Sequence, residues 1–504
     1  MSEDFVGAIK KGYTFDGPVL DLGRALRGGK IFSGLHISVP FAMMNRHGLV
    51  AGATGTGKTK TLQLMAGKLS DVGVPVFLAD LKGDLSGLAK PGVANDKVQA
   101  RCKELGVPFA PKGHPVEFLS LTGKEGAQVR ATVSSFGPLL LAKVLDLNDT
   151  QQGVLTLLFK FCDDQHLPIL DLPDLKAVLS HLMGLDSKQL AGYGGMSKAA
   201  LGVLNRKLVE LEQQGAGLFL GEPEFDIKDL LRTTPDGKGI ISILSLTDIQ
   251  DRPALFSTFM MWLLGELFHQ LPERGDVDKP VLMFFFDEAH LLFEEASKAL
   301  LSQIEQVVKL IRSKGVGNYF VTQTPKDIPA DVLAQLGNRV QHALRAFTPD
   351  DAKALKATAG TFPRTPFYDI EKELTSLGIG EALVTVLDSQ GRPTPVVATR
   401  LLPPDSLMGT LDQKELVAAV QGGSLQAKYA RAIDRESARE ILQQKMTIPA
   451  AAGSSAAPAD DHQGPDWKGS AASVAKEILK SPLTRQIGRE VVRGLFGMLK
   501  KNLK

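Results

Sequence analysis

Residues 47–59 read HGLVAGATGTGKT, and the fold turns on this stretch. Gly52, Ala53, Thr54, Gly55, Thr56, Gly57, Lys58 and Thr59 fill the pattern GxxxxGK[ST] between a short apolar strand and a helical pattern that starts at Lys58. The glycines let the backbone curl with its N–H groups turned inward, a nest for phosphate oxygens at a helix N-terminus. Lys58 supplies a charge for the β- and γ-phosphates, Thr59 a hydroxyl for Mg²⁺, and Lys60 continues the binding segment into the helix. The complete octet in a strand-to-helix setting separates this loop from a Gly-rich turn that binds nothing.

Downstream, VPVFLAD ends at Asp80 and completes a strand–helix–strand unit, the signature of a parallel sheet. Further strands are predicted at 116–121, 239–246, 281–286, 318–322 and 339–345. The run VLMFFFDEAH, 281–290, reads as a buried central strand that delivers Asp287 and Glu288 at its end. An aspartate there can hold Mg²⁺, and the glutamate after it can orient or deprotonate a water. The strand ending in NYFVTQTP puts Thr322 and Gln323 at the same sheet edge. Gln323 either senses a γ-phosphate or satisfies the turn before Pro325.

The expected fold is α/β: a RecA-like P-loop NTPase with a mostly parallel central sheet flanked by helices, and an inserted helical subdomain. The pattern divides the chain into a β-rich segment at 1–45, a first part of the core at 46–137, and a helical insertion at 138–231. The rest of the core follows at 232–405, then C-terminal helices at 406–446. Two runs around Asp388–Gly391 read as a β-hairpin closing one edge of the sheet. Residues 447–473, rich in Ala, Ser, Gly and Pro, have the composition of a flexible linker. Residues 474–504 form a basic amphipathic pattern, with Ile487, Val491, Leu495 and Leu499 on one stripe.

Fifty-eight basic residues against 56 acidic ones leave no whole-molecule footprint for nucleic acid. Cys102 and Cys162 stand far apart without a CxxC, which argues against a zinc site or a disulfide framework. The N-terminus lacks a signal-peptide pattern, so a cytoplasmic chain is expected. The apolar stretch 254–271 carries Glu266 and His269 and reads as a buried helix rather than a membrane span.

The ordered set RHGLVAGATGTGKT, FLADLKGDLSGL, FFFDEAHLLF and RSKGVGNYFVTQTP resembles the HerA-like branch of the HerA/FtsK ATPases, over roughly residues 40 to 400. Within that branch it is most similar to the bacterial YjgR-like proteins with a HerA C-terminal domain. The resemblance implies the strand added between the two Walker strands, the helical insertion, and assembly into a homo-oligomer, usually a hexameric ring. It places an acidic motif at Asp80 and Asp84, where HerA itself tends to carry Gly-Glu-Tyr; Asp84 as a cap of the next turn stays open. His47 holds a common family position, as a nucleotide contact or as packing. The resemblance also implies a trans-acting arginine, with Arg312, Arg339 and Arg345 as candidates. Superfamily-two helicases share the letters DEAH, but they place that box closer to the phosphate loop and follow it with motifs absent here.

Two readings follow. One is an oligomeric ATPase, with Lys58, Glu288, Gln323, Arg312 and Arg345 in the reaction and Thr59 and Asp287 on Mg²⁺, that moves or remodels DNA. The other is an NTPase acting on protein partners or as a switch. Either way the basic tail could contact another subunit or a membrane surface.

Overall fold

The computed structural model describes residues 2–193, 196–294, 298–433 and 435–447. The expected linker from residue 448 on and the basic amphipathic helix at 474–504 lie outside the described residues.

One 12-stranded sheet organises the chain. Its strands are β1 (Val19–Arg27), β2 (Lys30–Pro40), β3 (Gly48–Ala51), β4 (Val76–Asp80), β5 (Val116–Ser120) and β6 (Ala127–Gln128). After a run of helices come β7 (Ile241–Ser245), β8 (Leu282–Phe286), β9 (Val316–Thr322), β10 (Asn338–His342), β11 (Glu381–Thr385) and β12 (Val397–Leu401). The order is β2-β1-β12-β11-β10-β3-β9-β8-β4-β7-β5-β6. From β10 to β6 every neighbour pairs in parallel. From β2 to β10 every neighbour pairs antiparallel. The α/β class and the mostly parallel sheet are as the sequence implies, and β9 is the strand added between β3 and β8.

Parallel strands covered on both faces read as continuous apolar runs, because helices exclude water from each side. Accordingly β3, β4, β7, β8 and β9 are buried along their whole lengths. Phe284 and Phe286 stack on one face, where Phe286 meets Phe320 at 5.3 Å between ring centres, while Phe285 meets Tyr319 on the other face. The apolar stretch expected as a buried helix forms Pro253–Gln270, packed into the larger core. Among the described residues no helix is long and apolar enough to cross a membrane. Five helices between Val133 and Gln213 continue that same core away from the sheet.

One expectation needs correction. The hairpin of β11 and β12 does not close the sheet, because the free edge of β12 takes up β1 antiparallel, with Ala25 opposite Thr399, and β2 lies beyond. The N-terminal segment holds β1 and β2, and before them the helix Ser2–Gly12, whose Phe5 and Ile9, four residues apart, are completely buried. A single apolar pair is too short a period to read as a helix.

Candidate nucleotide site

The phosphate loop leaves β3 and is moored on both sides. Gly52 N–H donates to Thr322 O at 3.2 Å, Ala53 N–H to Ala343 O at 2.8 Å, and Gly380 N–H to Thr56 O at 2.9 Å. Gly52 has φ +152°, and a Cβ there would lie 2.5 Å from the Cβ of His342, so only glycine fits this approach. Gly57, at φ +113°, precedes the helix Lys58–Asp71. Lys58 Nζ donates to the loop's own carbonyls, Gly52 O at 2.7 Å and Ala53 O at 3.2 Å. Burial holds its ammonium below the usual lysine range, against the pull of Glu288 and Asp287. Lys60 Nζ donates to Met408 O, in the segment that crosses the outside of this helix. A glycine-rich loop that opens a helix N-terminus suits an anion, and Lys58 is folded back onto the loop's carbonyls.

The parallel pairing of β8 with β4 and β9 brings three strand ends to the same edge. Asp287 and Glu288 are both buried there. Asp287 Oδ1 accepts the Glu288 N–H at 3.0 Å. Burial first, then the charges of Glu288, Asp84 and Asp80, push the Asp287 carboxyl up to about 7. Glu288 adopts φ +49°, ψ +50°, a left-handed conformation that costs a non-glycine residue on the order of 1 kcal/mol or more. Its carboxylate forms an ion pair with Lys82 and lies 3.5 Å from His290 Nδ1.

Asp80 and Asp84 divide the work that sequence left open. Asp80 builds the turn by accepting the N–H groups of Gly83 at 2.8 Å, Asp84 at 3.3 Å and Leu85 at 3.0 Å. Burial, with Asp84 adding repulsion, moves its carboxyl up to about 6 despite those bonds. Asp84 is no cap: its Oδ2 accepts from Thr59 Oγ1 at 3.4 Å, and its Oδ1 is buried without a hydrogen bond. The edge thus gathers a hydroxyl and several crowded carboxylates, a donor set of hard oxygens that suits Mg²⁺. Among the described residues no three His, Cys, Asp or Glu side chains could hold a metal unaided.

Gln323 is exposed at the end of β9, beside Thr322 and Thr324, both of which bond Asp327 Oδ2. Gln323, Thr324 and Asp327, with His290, Phe293 and Glu294, line a cavity of about 500 Å³. Arg345, three residues beyond β10, is exposed on the phosphate-loop side and donates to Thr375 O at 3.1 Å. Arg312 precedes β9, at the opposite end of the strand and roughly 20 Å from that edge in its own chain. Arg339 is tied to Leu336 O at the start of β10. His47 also lies at the far end of β3 and packs: Nε2 meets Val308 O at 2.7 Å and Nδ1 accepts from Asn318 N–H at 3.0 Å. Burial lowers its pKa to about 4. Sequence reasoning missed Lys82 and His342, which meets Thr61 Oγ1 at 2.9 Å beneath the loop. A lysine at the end of a strand beside the Asp-Glu strand was a usable signal for the first; nothing local marked the second.

The profile described as "Helicase HerA-like C-terminal" matches residues 30–504. The chain belongs to the HerA-like helicase C-terminal family. Its HerA-like relatives include the probable DNA double-strand break repair helicase HerA of Methanocaldococcus jannaschii, 33% identical over 111 residues, or 21% of this chain and 20% of that protein. The DNA double-strand break repair helicase HerA of Sulfurisphaera tokodaii is 23% identical over 372 residues, 71% of this chain and 66% of the relative. The match therefore spans a fifth of the first relative's length and about two thirds of the second's. Among solved structures, the plasmid coupling protein TrwB in complex with ADP and Mg²⁺ superposes with a TM-score of 0.47 at 17% identity, covering 77% of this chain and 95% of that one.

Proposed function

We propose that this HerA-like chain is a Mg²⁺-dependent ATPase that works as a homo-oligomer and couples hydrolysis to the movement or remodelling of DNA. The observation that carries the ATPase reading is the meeting, at one sheet edge, of the phosphate loop with Asp84, Asp287 and Glu288. In this reading the loop amides and Lys58 hold the β- and γ-phosphates. Thr59 and Asp287, with Asp84 beside them, would hold Mg²⁺, which when bound neutralises and orients the phosphate oxygens. Glu288 orients or deprotonates the attacking water, Gln323 senses the γ-phosphate, and Arg345 or Arg312 serves a neighbouring subunit. Arg345 is favoured by its place on the phosphate-loop side, and Arg312 requires a partner that meets the opposite end of β9.

The DNA part rests on the family and on its relatives' names. It is tested by measuring ATP turnover with and without double-stranded DNA across a salt series, alongside Lys58→Ala. Stimulation and binding that weaken steeply with salt are expected, because phosphate contacts release counterions. Loss of turnover in Lys58→Ala with no response to DNA would leave the ATPase and remove the motor. The near-neutral charge of the chain then favours protein partners as the object of the work. Light scattering with and without nucleotide reports the oligomer.

A further inference from the structure

The turn between β4 and the short helical turn Ser86–Ala89 is held from two directions. Asp80 binds three of its amides from below, and Gln250 Nε2 donates to Leu81 O at 2.7 Å from the side. The backbone that carries Lys82 is therefore fixed, while its side chain is about half exposed, at 49%. The ammonium of that flexible stem pairs with Glu288, whose carboxylate is only 5% exposed and whose second oxygen is buried without a hydrogen bond. Lys58 opens the helix after the phosphate loop at the same sheet edge as Asp287 and Glu288, so both lysines stand beside one acidic edge. A lysine is a compact charge with rotatable donors, able to exchange one anion for another without moving the backbone.

Resting on the ATPase reading, we propose that Lys82 is a second cation of the γ-phosphate site, parked on Glu288 until nucleotide arrives. A γ-phosphate seated on the loop brings more negative charge to this edge than the single carboxylate of Glu288, and it draws the ammonium across. The same exchange frees Glu288 to face water only when a triphosphate is present. Lys58 alone serves a diphosphate, so Lys82 gives the site its preference for ATP over ADP.

The experiment compares wild type, Lys82→Met and Lys82→Arg, measuring Mg²⁺-dependent dissociation constants for a non-hydrolysable ATP analogue and for ADP by competition with a fluorescent nucleotide. Lys82→Met should lose about ten- to a hundred-fold in analogue affinity, the worth of one charge-assisted contact, and keep its ADP affinity. Lys82→Arg should restore most of the difference. Unchanged ADP binding also shows that the variant is folded at the site. Equal losses for both nucleotides, or no loss for either, overturns the proposal and leaves Lys82 as a surface partner of Glu288. Wild type that binds neither nucleotide overturns the ATPase reading instead.

Discussion

The two ends of the helix Lys58–Asp71 handle charge in opposite ways. At its C-terminal end Asp405 is surrounded by donors: His114 Nε2 at 3.0 Å, Lys68 Nζ at 3.4 Å and Lys112 Nζ at 3.4 Å, with Lys112 also paired to Asp71. Burial alone would raise the Asp405 carboxyl, but the His114 bond and the two lysines override it and hold it down to about 2. At the N-terminal end the carboxylates of Asp80, Asp84, Asp287 and Glu288 crowd one another, and Asp287 is pushed up to about 7. Helix polarity makes the contrast sharper, since an N-terminus favours anions and a C-terminus cations. The C-terminal cluster is complete in the protein alone and ties the segment after β12 to the helix. On the proposed ATPase reading, a ligand that supplies cation and phosphate together would relieve the crowding of the N-terminal cluster, which makes it the proposed working end.

The largest effect should come from the working end. Glu288→Gln is expected to keep Mg²⁺-nucleotide affinity while lowering kcat by about 10² to 10⁴, because the change removes proton acceptance and little volume. Single-turnover hydrolysis beside equilibrium binding checks this. Full turnover in the variant would move the water-activating role to another residue and leave the strained backbone of Glu288 without a purpose.

A second variant breaks the contrast from within. Asp287→Asn keeps an oxygen for the Glu288 N–H but removes one charge from the crowd, so the protein without ligand should gain on the order of 1 kcal/mol. The same variant should lose most of the rise in melting temperature that Mg²⁺ and nucleotide give the wild type, since that rise reports ligand bound to the folded state. Melts with and without ligand decide it. A ligand-free variant that melts lower than wild type would mean the Asp287 charge is already balanced within the protein.

Much of the working end was legible in the order of residues. The octet 52–59 and the run into Asp287 and Glu288 are local patterns, each set by one strand and the turn after it. The additional strand came from the resemblance to a family, not from spacing, because strand order depends on which edges meet in space. Position in the sheet failed for the same reason: nothing in β11 or β12 announces that β1 will claim the free edge. The partners of Lys82 and Asp84, Glu288 and Thr59, could not be read from the sequence because parallel pairing and not sequence distance brings them together. The C-terminal cluster was invisible for a stronger reason: Asp71, His114 and Asp405 come from separate parts of the chain and match no motif.

That cluster yields the smallest and most specific effect, read as a dependence on pH. The folded-state pKa of Asp405 is depressed, so its contribution to stability is fully present above the unfolded value near 4 and is lost as pH falls toward about 2. Asp405→Asn removes the charge at every pH. Wild type should therefore unfold at higher urea than Asp405→Asn at pH 6, and the gap should shrink to roughly half by pH 3 as protons neutralise the wild-type carboxylate. The other carboxylates titrate alike in both proteins and cancel in the difference. A gap that stays constant from pH 6 to pH 3 would mean that the lysines around Asp405 are spent on other partners, and the two ends of the helix would then differ in crowding alone.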